Sequence, residues 1–172
     1  MDFGSRENRK LVENRIIEDK ELLAQACADI RAKGGKIVLM TGCFDLIHGG
    51  HLDGICDASE YGKLILGINS DESVRRLKGS QRPINDQRER AYLMAGFSAV
   101  ELVTIFDSDY ELIRTVRPNY YIASMTSHVR IWEDKKRVSL LEGINAEIIE
   151  FGEEKRNSTT RIIKVILEVC LT

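Results

Sequence analysis

Apolar positions along the chain fall into short blocks separated by longer stretches with helical spacing. Up to Asn14 the residues are polar and charged without a sustained period, and 1–14 is expected to be a flexible N-terminal segment. From Glu18 to Ala32 the spacing of Leu22, Leu23, Ala26 and Ile30 predicts a helix that Gly34-Gly35 ends. Apolar blocks at Lys36–Thr41, Leu64–Asn69, Glu101–Phe106, Tyr120–Ala123 and Ala146–Phe151 predict five strands. The intervening segments Gly50–Glu60, Asp86–Phe97, Asp109–Val116 and Lys135–Glu142 read as helices. A last amphipathic helix over Ser158–Leu171 carries Ile162, Ile163, Ile166 and Val169.

Strands alternating with helices predict βαβ units. The expected fold is a single doubly wound, Rossmann-like α/β domain over 15–172, with a five-stranded parallel sheet flanked by helices. In such a sheet ligands bind beyond the carboxyl ends of the strands, where the strand order reverses. Composition narrows the function class. With 43% apolar residues the chain is too apolar for disorder, and a net charge of −2 gives no electrostatic footprint for nucleic acid. The four cysteines, Cys27, Cys43, Cys56 and Cys170, fit no disulfide framework and suit a reducing compartment. No leader pattern and no apolar run of membrane length is present, so a cytoplasmic protein without a membrane partner is expected.

The candidate chemistry follows the first predicted strand. Of three histidines in the chain, two fall in "MTGCFDLIHGGHLD", Met40–Asp53. Gly42 lets the chain turn off the strand, and Gly49-Gly50 allow backbone to approach a ligand closely. His51 falls in the first turn of the next helix, where free N–H groups and the helix dipole attract anions. With His48 it can donate to phosphate oxygens as charge builds in a transition state. Two other readings exist. The pair can cap or pack a helix start, or Cys43, His48, His51 and Cys56 can ligate zinc. The second is weak, because His51 and Cys56 lie about 140° apart around a helix axis.

The arrangement His48-Gly-Gly-His51 after Gly42-Cys-Phe-Asp45 resembles the signature of the cytidylyltransferase-like nucleotidyltransferases. "GINSDESVRRLKGSQRPINDQRERAYLMAGFSAVELV" (Gly67–Val103) and "NSTTRIIKVI" (Asn157–Ile166) resemble the adenylyltransferase domain of bacterial ADP-heptose synthase. Glycerol-3-phosphate cytidylyltransferase is a more distant relative of the same type. The resemblance implies in-line attack by an acceptor phosphate on the α-phosphorus of a nucleoside triphosphate, with pyrophosphate leaving.

It further implies catalytic roles for His48, His51 and Lys78, the lysine on a loop ending at Gly79. Nucleotide contacts are expected from Thr41, Gly42, Cys43, Phe44, Gly50, Asn69, Asp71 and Arg90, and from Ser158, Thr159 and Thr160 at the last helix start. Asp45 is expected to fix the turn or pair with a motif residue, and Arg82 and Arg88 to be surface charges or part of an i, i+4 ladder. Magnesium is expected as the triphosphate's counter-ion rather than in a dedicated protein site, and a homodimer is the expected assembly. Where relatives end the fourth strand with a Lys-Gly-Gly-Asp-Tyr-like stretch, this chain has Ala123, Ser124, Met125, Thr126 and Ser127. That wall is expected to face the base or the acceptor. The implied reaction joins ATP to a heptose 1-phosphate. Its alternatives are CTP with glycerol 3-phosphate, and a nucleotide-binding module without turnover.

Overall fold

The computed structural model describes residues 5–124, 131–151 and 158–170. Along them run α1 (Ser5–Glu13), α2 (Lys20–Ala32), β1 (Ile37–Gly42), α3 (Gly49–Ser59), β2 (Lys63–Asn69) and α4 (Asp71–Lys78). These are followed by α5 (Gln87–Ala95), β3 (Val100–Phe106), α6 (Asp109–Val116) and β4 (Tyr120–Ser124). A 3-10 turn at Ile131–Glu133 precedes α7 (Lys135–Gly143), β5 (Glu147–Phe151) and α8 (Thr159–Cys170).

The five strands form one parallel sheet in the order β3-β2-β1-β4-β5. Side chains alternate across it, as period-two strands require. Ile37, Leu39, Ile65 and Tyr121 bury into a core shared with Leu23, Cys27, Leu112, Ile113 and Leu141 of α2, α6 and α7. Val38, Leu64, Leu66 and Ile68 bury into an opposite core with Ile55 and Ala58 of α3 and Ala91, Met94 and Ala95 of α5. The sheet is therefore covered on both faces, as the doubly wound expectation requires. β1 pairs with β2 on one side and β4 on the other, so the order reverses across the β1–β4 gap. The ends of these two strands flank the ligand position of an open α/β sheet.

Two segments differ from the sequence reading. The stretch before Asn14, expected loose, carries α1, and the chain beyond it docks on the outer edge of β3. Ile17 N donates to Val103 O, Val103 N to Arg15 O, and the Arg15 guanidinium to the carbonyls of Ala95, Phe97 and Val100. These bonds cover an edge strand that would otherwise present open backbone. The second difference is α4, which has little apolar periodicity and buries only Ser73 and Val74. Capping and charge order it instead. Ser70 Oγ accepts from Ser73 N, Asp71 and Glu72 lie in the first turn, and Arg75, Arg76 and Lys78 in the last. Lys78 thus ends a helix and does not lie on a loop. The amphipathic helix expected at the end of the chain forms as α8, and its Val165, Ile166, Leu167 and Val169 are exposed. Among the described residues no helix is long and apolar enough to cross a membrane.

Candidate functional site

β1 ends at Gly42, and the chain folds back over itself at once. A Cβ on Gly42 would meet the Phe44 ring at 2.9 Å, so only glycine fits under that ring. Phe44 has φ 49°, in the left-handed region, and its ring is 3% exposed. Packing of the ring into the α3–α5 core holds this strained residue in place. Its other contact is His51, with ring centroids 5.3 Å apart.

His48 stands at the N-cap position of α3 in extended backbone, with no side-chain cap bond. The His51 backbone N–H donates to His48 O at 2.9 Å, and the two imidazoles stack at 3.9 Å with 23° between their planes. Gly49 and Gly50 occupy the first turn between them. The sequence motif has become two parallel rings at a helix start, beside the end of the central strand. At that separation both rings can reach the oxygens of one phosphate chain.

Asp45 fixes the turn, as expected, and does so by lacing it to the segment Arg82–Asn85. Its buried carboxylate accepts from Ile84 N at 2.8 Å, Asn85 N at 3.0 Å and Arg82 Nε at 2.5 Å. Asn85 Nδ2 returns a bond to Asp45 O at 2.8 Å. Arg82 is therefore no surface charge, its side chain being 14% exposed, whereas Arg88 is exposed.

Arg90 lies beneath the site and is fully buried. Its guanidinium donates to Asn85 O (3.0 Å), Cys43 O (2.5 Å), Asn69 O (2.8 Å) and Asp71 Oδ1 (2.8 Å). One planar fork thereby joins the β1 turn, the end of β2, the start of α4 and the Arg82–Asn85 segment. Asn69 and Asp71 are brought to the turn by the same fork. Cys43 Sγ contacts Asn69 Oδ1 at 3.8 Å. Burial raises the Cys43 thiol pKa, and the positive charges of Lys78, Arg90 and Arg82 oppose that rise. Lys78 is thus an exposed cation within electrostatic range of the turn.

The start of α8 reaches the same place from the far end of the chain. Ser158 Oγ accepts from Arg161 N at 3.2 Å, capping the helix, and Thr159 Oγ1 donates to Leu46 O at 3.3 Å. Ser158 and Thr159 are half-buried and Thr160 is exposed. On the β4 side, Ala123 is 7% exposed and packs into the α2–α6–α7 core, and Ser124 ends the strand. Met125, Thr126 and Ser127 lie outside the described residues.

A second polar constellation was not legible in the sequence. Thr41 Oγ1 and Tyr121 OH lie 3.2 Å apart, joining the ends of β1 and β4. Arg137 of α7 donates to Tyr121 OH at 3.4 Å and to Asp109 Oδ2 at 2.8 Å, and approaches Asp134 at 3.2 Å. Tyr110 OH donates to Asp134 at 3.1 Å. These residues come from four elements, β1, β4, α6 and the start of α7, and only the Asp134–Arg137 spacing, an N-cap and its helix, and the adjacent Asp109 and Tyr110 are local in sequence. Burial raises the Asp109 pKa above the usual carboxylate value, with Arg137 opposing it.

Among the described residues no three His, Cys, Asp or Glu side chains gather as a metal cage. Cys43 turns its thiol to Asn69, and Cys56 is exposed.

A family model described as cytidylyltransferase-like matches residues 39–165, from β1 into α8. The bifunctional protein HldE of Nitratiruptor sp. is 40% identical over 159 residues, covering 91% of this chain and 33% of that protein. The bifunctional protein HldE of Trichlorobacter lovleyi is also 40% identical over 159 residues, covering 88% of this chain and 31% of its own length. The chain thus spans about a third of the length of these curated relatives. Among solved structures, a lipopolysaccharide core biosynthesis protein from Thermoplasma volcanium superposes with a TM-score of 0.62 at 21% identity, covering 71% of this chain and 100% of that one. A pantoate-beta-alanine ligase from Francisella tularensis, complexed with beta-gamma ATP and beta-alanine, gives 0.58 at 12% identity, covering 91% and 79%. At these identities the two structures speak for the fold alone.

Proposed function

The chain belongs to the cytidylyltransferase-like family of nucleotidyltransferases, and on that premise we propose that it transfers AMP from ATP to a heptose 1-phosphate, giving ADP-heptose and pyrophosphate. The observation that carries the reading is the stacked His48–His51 pair at the end of the central strand. The helix start at Ser158–Thr160 is tied to the same turn through Leu46. The choice of ATP and a heptose phosphate rests on the similarity of about 40% to the bifunctional HldE proteins.

In this reading the acceptor's phosphate oxygen attacks the α-phosphorus in line, the bond to the bridging oxygen breaks, and pyrophosphate leaves. No covalent intermediate with the protein is needed, so positioning and electrostatics supply the rate. His48 and His51 donate to the phosphates, and Lys78 offsets charge from the end of α4. The hydroxyls and free N–H groups at the start of α8 hold the leaving pyrophosphate. Thr41–Cys43 and Gly50 line the nucleotide, with Phe44 packed in the core beneath them and Asn69 and Asp71 at its edge. Arg90 acts as a positioning residue. Magnesium suits the triphosphate's own oxygens, because imidazole and thiol are poor ligands for so hard a cation; bound there, it supplies charge neutralisation.

The test is a pyrophosphate-release screen crossing the four nucleoside triphosphates with sugar and polyol phosphates. ATP with heptose 1-phosphate should give the highest kcat/KM. CTP with glycerol 3-phosphate ranking first would replace this reading, and binding without release in every combination would leave a nucleotide-binding module.

A further inference from the structure

Beside the β1 turn, a cavity of about 270 Å³ opens between α4 and the start of α6, on the same edge of the sheet as the histidine pair. Asn69 and Ser73 form its buried floor, and Asp107, Ser108, Asp109 and Tyr110 its far wall. Asn69 belongs to both places, since its side chain meets Cys43 and its carbonyl takes Arg90. Volume limits the occupant. Drug-sized ligands fill roughly 300–1,000 Å³, so this space suits one sugar ring and excludes a nucleoside triphosphate.

Charge limits it further. Two carboxylates, Asp107 and Asp109, line the cavity with one cation, Arg76, which pairs with Glu72 at 2.7 Å and approaches Asp107 at 4.0 Å, while Arg137 pairs with Asp109 at 2.8 Å. Every cation beside the cavity is already engaged with a carboxylate, so a phosphate would find no partner there, whereas hydroxyl groups would find acceptors. Asp109 is built for that task. Arg137 holds Oδ2 at 2.8 Å and the Thr41 hydroxyl lies beside the carboxylate, while buried Oδ1 meets no donor in good hydrogen-bond geometry among the described residues. A buried carboxylate oxygen left without a donor is costly, and a ligand hydroxyl would satisfy it.

We infer that this cavity holds the uncharged, hydroxyl-bearing body of the acceptor, and that Asp109, braced by Arg137, selects it. The inference rests on the proposed nucleotidyl transfer. It orients the acceptor with its polyol in the cavity and its phosphate toward His48, His51 and Lys78. It also favours a sugar phosphate over a small alcohol phosphate, which would leave most of the cavity unfilled.

The experiment compares the wild type with Asp109→Asn and Leu77→Trp. The second variant fills the cavity from an exposed rim position and leaves the Asp109–Arg137 pair intact, so it decides the matter if Asp109→Asn does not fold. For both, KM for heptose 1-phosphate should rise roughly ten- to a hundredfold, the scale of losing a hydrogen bond to a charged group. KM for ATP, and the thermal stabilisation given by ATP with magnesium, should stay within twofold and within one degree or so of the wild type. A raised ATP KM with the acceptor KM unmoved would give the cavity to the nucleotide and overturn the inference while transfer stands. Two unmoved KM values would overturn it equally. A wild type that releases no pyrophosphate with any pair would overturn the proposed function, and this inference with it.

Discussion

Two imidazoles stacked 3.9 Å apart bring two donor-bearing rings to one small volume at a helix start, where the proposed transfer puts the phosphates. As caps or filler they would be replaceable, because His48 makes no side-chain cap bond and Phe44 already closes the core beneath them. Replacing His51 by Ala should therefore cut turnover by about two to three powers of ten, the scale of one lost transition-state donor. His48→Ala should do the same, and both variants should keep the wild-type unfolding midpoint within a few degrees. Steady-state kinetics with thermal melts checks this. Near-full activity in both variants would remove the phosphate role.

Elements bring the histidines' surroundings into place, and here the sequence was only partly legible. The strand–turn–helix around His48 could be read because apolar runs, glycines and the histidine spacing are all local signals. The Arg90 tie could not, because its partners Cys43, Asn69, Asp71 and Asn85 are joined by tertiary folding and not by periodicity. Arg82 misled for the same reason, since nothing near it in sequence announces Asp45. Helix α4 escaped because capping and charge, not an apolar face, hold it. Arg90→Met tests the tie. It strips donors from three backbone carbonyls and leaves Asp71 without its cation. The change should lower the unfolding free energy by about 3–5 kcal/mol, as for a broken buried ion pair. Urea denaturation would measure it. A loss below about 1 kcal/mol would mean that the loops hold their positions without the fork.

At the scale of the molecule, the site is assembled from distant parts of the chain. β1 supplies the turn, α4 supplies Lys78, and α8 returns its first turn to Leu46 by the Thr159 bond of 3.3 Å. The body of α8 buries none of its residues, so few internal contacts hold this helix against the domain. A triphosphate gripped between the histidine pair and the start of α8 would add the missing connection. Binding to the folded state alone stabilises by RT ln(1 + [L]/Kd), about 2.7 kcal/mol at a hundred times Kd. For a chain of this size that corresponds to a rise in Tm of roughly 5–11 °C. ATP with magnesium should produce it in the absence of acceptor. Lys78→Ala should weaken the rise, because it removes a cation without touching the buried framework. Ser158→Ala should weaken it too, by loosening the start of α8. A melting curve indifferent to every nucleoside triphosphate with magnesium would leave the α/β fold standing and take the triphosphate out of the site.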